Sequence, residues 1–157
     1  MKYSLFVFDW EGTLVDSTRR HMPHWKPLLP QDEPPVQVFL GTKEVLLALK
    51  AKGCKLAVAT GANRARLNSV MHAVGLDGLF DATVTVDEAP SKPDPSMLLQ
   101  LMDQLHTEKK ETVMIGDSQV DMEMAENAGV DAIFMQHNAD EALYPVVIRD
   151  ITALLQG

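Results

Sequence analysis

Residues 4–17 read SLFVFDWEGTLVDS, and the change at Phe8–Asp9 from an unbroken apolar run to acids and glycine decides the fold. Apolar side chains at every position from Leu5 to Phe8 leave no polar face for solvent, so a central strand buried on both sides is expected. A second such run, TVMI at 112–115, ends the same way at Gly116 and Asp117. Three more short blocks, Lys55–Thr60, Ala82–Val86 and Ala132–Met135, alternate with helical patterns. With Tyr3–Phe8 and Thr112–Gly116 they predict an α/β, Rossmann-like parallel sheet of five strands with helices on both faces.

Helices are expected over Thr42–Lys52, Asn63–Val74 and Ser118–Ala128, stopped by Gly53, Gly75 and Gly129. Pro95–His106 should form another, with Asp94 as its N-cap and proline in the first helical position. A last helix is expected over Asp140–Leu155, interrupted near Pro145. Residues 18–37 break this rhythm. They hold five of the nine prolines and two of the five histidines, a density that blocks helix interiors and central strands. This connection is longer than the roughly 2 to 6 residues usual between α/β elements, which marks it as functional or loose.

The chain of 157 residues is expected to be a single domain, 1–157, with one ordinary core. Its formal charge of −8 disfavours nucleic acid and anionic membrane as partners, because both demand a positive field. No apolar run approaches the roughly 18 residues of a membrane span, and the start lacks a secretory leader pattern, so a cytoplasmic location is expected. The single cysteine, Cys54, excludes an internal disulfide and reads as a small buried apolar residue. Met114, Met122 and Met124 read as adaptable core filler.

The polar residues of interest all follow predicted strands: Asp9, Glu11 and Thr13; Thr60; Lys92; Asp117 and Asp121. In an open α/β sheet the crevice beyond the carboxyl ends of the strands is where ligands bind. Four carboxylates brought there would repel one another without a divalent cation, and oxygen ligands beside a phosphate suit Mg2+. A lysine and exposed backbone N–H groups would hold phosphate oxygens.

FDWEGTLVDS, ATGAN, SKPDP and IGDSQVDMEMAENAG, in that order, resemble the four motifs of the haloacid dehalogenase superfamily, and most of all its phosphoglycolate phosphatase-like branch. The resemblance runs from about Lys2 to Met135. It implies a Mg2+-dependent phosphomonoester hydrolase in which Asp9 is the nucleophile that becomes an aspartyl phosphate. It further implies metal ligation by Asp9, the backbone carbonyl of Glu11 and Asp117, with Asp121 reaching the metal's waters or Lys92. Thr60 and Gly61 would bind the phosphoryl group, Lys92 would neutralise it and the nucleophile, and Thr13 would serve the turn.

Glu11 departs from the family pattern, which usually has aspartate two residues after the nucleophile as general acid and base. The extra methylene shifts the proton donor by about an ångström, a displacement that can cost on the order of 100-fold in rate. Three outcomes stay open: a working phosphatase with Glu11 as acid and base, a slow one with a persistent phosphoenzyme, or a catalytically silent binding domain. A 2-haloacid dehalogenase of the same fold is the enzymatic rival, but it needs neither Lys92 beside a phosphate nor the Asp117/Asp121 pair as metal ligands.

Relatives in this branch typically insert a helical cap after the first motif; here Asp16 to Thr42 holds only the proline-rich connection, so a minimal-cap member is expected. An open crevice admits a phosphorylated small molecule or macromolecule, or is covered by a second copy of the chain. Arg19, Arg20, His21, His24 and Trp25 are candidates for a specificity loop at its rim.

Overall fold

The computed structural model describes residues 2–16, 26, 28–30, 36–135, 147–148 and 151–155. The expected arginine, histidine and tryptophan rim at 19–25 lies outside them, as does most of the segment 18–35.

All five expected strands are present: β1 (Leu5–Phe8), β4 (Lys55–Ala59), β5 (Ala82–Val84), β6 (Thr112–Gly116) and β7 (Asp131–Met135). They form one parallel sheet, extended at its edge by the two-residue β8 (Val147–Ile148), in the order β5-β4-β1-β6-β7-β8. The expected helix over 140–155 is not what the described residues form. β8 pairs with β7, and Ile151–Leu155 is a 3₁₀ turn packed on the first helix. The β-branched run Val146–Ile148 beside an open sheet edge favours pairing over helix.

Side chains alternate along β1 as the pleat requires. Phe6 and Phe8 face one core with α1 (Thr42–Ala51), α2 (Arg64–Ala73) and the last 3₁₀ turn. Leu5 and Val7 face the other with α3 (Ser96–Leu105) and α4 (Gln119–Ala128). Helices therefore cover both faces, and the apolar run at 5–8 is buried throughout. Met114 and Met124 fill the second core, Met122 is buried on α4 but belongs to neither core, and Cys54 lies in the first core.

The chain runs outward from β1 through β4 to β5, then returns to the other side of β1 at β6 and continues to β7. β1 and β6 thus bracket the point where the winding reverses, and the crevice above them is the expected ligand position. Beyond β1 the chain folds into a tight turn. Trp10, fully buried, offers its carbonyl to the N–H groups of Thr13, Leu14 and Val15. There β2 (Val15–Asp16) pairs antiparallel with β3 (Gln37–Val38), closing the two ends of the proline-rich connection on each other. Among the described residues, no helix is long and apolar enough to cross a membrane.

Candidate active site

Sheet register places the polar residues before any side chain is considered. Phe8 is level with Val58 on one side and Ile115 on the other, so Asp9, the next residue, is flanked by Thr60 and Asp117, each one step further along. The Asp9 N–H still bonds the Ile115 carbonyl at 2.9 Å, so the ladder fixes its backbone. Neighbouring strands are about 4.8 Å apart, which brings these three residues to one patch of the crevice floor.

Lys92, from the loop between β5 and α3, reaches across this patch. Its Nζ is 2.8 Å from Asp9 Oδ1 and 2.6 Å from Asp121 Oδ1. The contact is dry: side-chain exposure is 7% for Lys92, 13% for Asp9 and zero for Asp121. Asp117 joins from the other side, where its Oδ1 accepts the Thr13 hydroxyl at 3.2 Å. One carboxylate oxygen from each of Asp9, Asp117 and Asp121 lies within 4.8 Å of the others.

Asp121 is held from its own helix. Ser118 caps α4, and its hydroxyl donates to Asp121 Oδ2 at 2.9 Å while the Ser118 N–H points to the same oxygen. Two glycines make room for the acids. A Cβ on Gly12, whose φ is +89°, would overlap the Asp117 carboxylate, and one on Gly116 would meet Asp121.

Charge does not balance here. Burial raises Asp9 above the ordinary carboxylate range; Lys92 opposes that and Asp117 adds to it. Asp121 is raised by burial and by Asp9, against Lys92 and Ser118. Burial pulls Lys92 down, yet Asp9 and Asp121 together carry it above its usual value. Among the described residues, one ammonium for three crowded carboxylates leaves a surplus of negative charge on an all-oxygen donor set, the chemistry a hard divalent cation fits.

Thr60 is buried beyond β4, with its N–H on the Val84 carbonyl and its hydroxyl oxygen accepting the Ala62 N–H at 3.1 Å. Gly61 borders open space: a Cβ there would meet no protein atom within 4 Å.

Glu11 behaves differently from the other acids. Its carboxylate is not in the cluster of three; its Oε1 lies 3.3 Å from both Nε and Nη2 of Arg66 on α2. Among the described residues three carboxylates share the cluster, not the four expected to repel one another.

The sequence reading passed over several contributors. Thr13 was expected only to shape the turn, yet its hydroxyl bonds Asp117. Arg64 and Arg66 were not singled out at all. Their position was a usable signal, because two cations in the first turn of a helix oppose its dipole and need acidic partners elsewhere. Arg64 finds Glu88 and Thr83, bracing the segment that leads to Lys92, and Arg66 finds Glu11.

Comparison with known proteins bears on the family and the fold. The model of the haloacid dehalogenase-like hydrolase family matches residues 23–135. A probable phosphatase, IndB, of Dickeya dadantii is 39% identical over 136 residues, covering 83% of this chain and 58% of that protein. The pyrophosphatase PpaX of Halalkalibacterium halodurans is 35% identical over 60% of this chain and 45% of its own length. A phosphoglycolate phosphatase of Colwellia psychrerythraea is 36% identical over 58% of this chain and 41% of its own. The chain thus spans about half the length of these curated relatives. A HAD-superfamily hydrolase of Geobacter sulfurreducens shares the fold with a TM-score of 0.78 at 20% identity, the match covering 98% of each chain. A HAD-superfamily hydrolase of Ehrlichia chaffeensis does so at 0.79 and 20%, covering 98% of this chain and 94% of that one. Motif order, sheet topology and the family match converge: the chain belongs to the haloacid dehalogenase-like hydrolase family.

Proposed function

We propose that the protein is a Mg2+-dependent phosphomonoester hydrolase that works through an aspartyl phosphate on Asp9. The observation that carries this reading is the buried Asp9 carboxylate, held by Lys92 at 2.8 Å beside Asp117 and Asp121. Three of its relatives are named as phosphatases of one kind or another, which supports the same class.

Mg2+ would be held by Asp9, Asp117, the Glu11 carbonyl and, through Asp121, the adjoining waters, and when bound it supplies charge neutralisation for an incoming phosphate. The chain's own residues account for the rest. Asp9 attacks phosphorus, and the bond to the leaving oxygen breaks as the new Asp9–phosphorus bond forms. Glu11 gives its proton to that oxygen, then takes one from the water that hydrolyses the phosphoenzyme, restoring Asp9 and releasing phosphate. Lys92 keeps Asp9 aimed and meets negative charge on the phosphoryl oxygens. Because the Thr60 oxygen already accepts the Ala62 N–H, its own proton is left to donate to a phosphoryl oxygen, and the Gly61 N–H borders the same open space.

In this reading residues 1–157 form one catalytic core, with the connection at about 18–37 in place of a cap. The substrate is a phosphorylated small molecule or macromolecule in the cytoplasm, and a second copy of the chain is a candidate cover for the open crevice. Hydrolysis of p-nitrophenyl phosphate tests it. Turnover that requires Mg2+ and is abolished in Asp9→Asn is the expected result; no turnover with metal present would instead point to a silent binding domain.

A further inference from the structure

The pairing of Glu11 with Arg66 has a shape suited to proton transfer. Both guanidinium contacts fall on one oxygen, Oε1, at 3.3 Å. Glu11 Oε2 makes no hydrogen bond among the described residues. Each partner is fixed from behind. The Glu11 backbone belongs to the turn anchored by buried Trp10, and it bridges to Val15. The Arg66 N–H is capped by Asn63 Oδ1 at 2.8 Å, in the first turn of the helix that follows Thr60 and Gly61.

Exposure separates this pair from the cluster below. Asp9, Lys92 and Asp121 are nearly sealed, whereas the side chains of Glu11 and Arg66 are 40% and 35% exposed. A phosphoryl group being transferred to Asp9 parts from its leaving group on the side away from Asp9, toward solvent, so a proton donor belongs at this rim and not on the floor.

We propose that Arg66 is a positioning residue for Glu11: it clamps Oε1 so that Oε2 carries the proton to and from the leaving oxygen, which lets a glutamate do what a shorter acid does elsewhere. The inference rests on the phosphatase reading and adds a residue to it. Among the described residues Arg66 makes no hydrogen bond to the nucleophile Asp9, and in this assignment it meets Glu11 and not the phosphoryl group. It acts by removing the rotamer freedom that the extra methylene of Glu11 would otherwise bring, and a misplacement of about 1 Å is enough to cost on the order of 100-fold. Glu11→Asp should then be a loss, because the shorter chain gives up the clamp.

The test compares the parent, Arg66→Ala, Arg66→Lys, Glu11→Gln and the double variant Arg66→Ala/Glu11→Gln on two esters. p-Nitrophenyl phosphate has a leaving group that departs readily as an anion; β-glycerol phosphate has an alkoxide that must be protonated. Arg66→Ala should lower kcat/KM on the glycerol ester about tenfold more than on the aryl ester, since general acid help is what the alkoxide requires and kcat/KM leaves out the hydrolysis of the phosphoenzyme common to both. Arg66→Lys should recover part of that difference, and in the Glu11→Gln background the loss of Arg66 should no longer discriminate between the esters. Orthovanadate binding to the Mg2+-loaded protein supplies a readout apart from turnover. Its Kd should move by less than about twofold in Arg66→Ala, because a charge that touches no phosphoryl oxygen leaves oxyanion binding largely intact.

Equal losses of kcat/KM on both esters, or an undiminished effect without Glu11, would overturn the assignment in favour of a merely structural role. A marked rise in vanadate Kd would overturn it in favour of direct phosphate binding. Glu11→Asp outperforming the parent would also overturn it. A parent that hydrolyses neither ester would bring down the phosphatase reading first, and this inference with it.

Discussion

Gly116 and Asp121 are packed so closely that a Cβ on Gly116 would lie 2.5 Å from both the Cβ and Oδ2 of Asp121. The backbone at the end of β6 is thus the wall against which an acid of the carboxylate cluster rests. Gly116→Ala should push Asp121 off Lys92 and destabilise the protein by about 1–3 kcal/mol, the usual cost of overpacking. Urea unfolding together with Mg2+ affinity checks this, and a variant with parental values for both would show that the contact is soft.

Lys92 is the cation that Asp9 and Asp121 share. In metal-free protein, Lys92→Met should cost about 3–5 kcal/mol, because it strands two buried carboxylates. Part of that loss should return on adding Mg2+, and kcat should stay depressed by about 100-fold or more. Equal stability of variant and parent in EDTA contradicts the account.

Metal-free Asp9→Asn should be more stable than the parent at pH 7.5. Burial raises Asp9 in the folded state above its ordinary value of 3.8, with Lys92 opposing and Asp117 adding. The folded state then holds the proton more tightly than the unfolded one, so stability from this group is full below 3.8 and lost as pH rises through the folded pKa. The advantage of the neutral asparagine should therefore shrink as pH falls through that raised value. Thermal melts of both proteins in EDTA across this range decide it; an asparagine variant less stable at every pH refutes it.

Arg64 braces the segment that carries Lys92. Its guanidinium reaches Thr83 Oγ1 at 2.6 Å, the Thr83 carbonyl at 3.0 Å and Glu88 Oε1 at 2.5 Å, and Glu88 in turn takes the N–H and hydroxyl of Thr85. Both charged side chains are about a third exposed, so Arg64→Ala should cost only about 1 kcal/mol in stability. The same change should lower kcat severalfold by loosening the approach to Lys92. A double-mutant cycle with Glu88→Gln measures the coupling, and strict additivity would remove the brace.

Long elements were legible because burial leaves a repeating mark. Thr112–Gly116 was bounded correctly from its apolar run, and helices α1, α2 and α4 stop just short of Gly53, Gly75 and Gly129 as expected. α3 begins at Ser96 with Pro95 at its N-cap, one residue later than expected, and Asp94 does accept the Ser96 N–H. The pairs β2, β3 and β8 are two residues each, too short for any period to show. In the tail, Ile151 and Leu154 keep a spacing that a helix and a 3₁₀ turn satisfy equally.

For the site, the sequence by itself determined which residues stand at the carboxyl ends of the strands, since strand length and the apolar-to-polar switch are local properties. It also determined the family, through the order of four motifs. Only the tertiary structure decided which acids share a cation. Glu11 is two residues from Asp9, yet its carboxylate turns to Arg66; Asp121 comes from a distant helix and meets Asp9 on the same Nζ. Side-chain direction depends on what packs behind each backbone: the Trp10 turn, the Asn63 and Ser118 caps, and the bare Cα atoms of Gly12 and Gly116. Those contacts join residues far apart in the chain, and no local pattern records them.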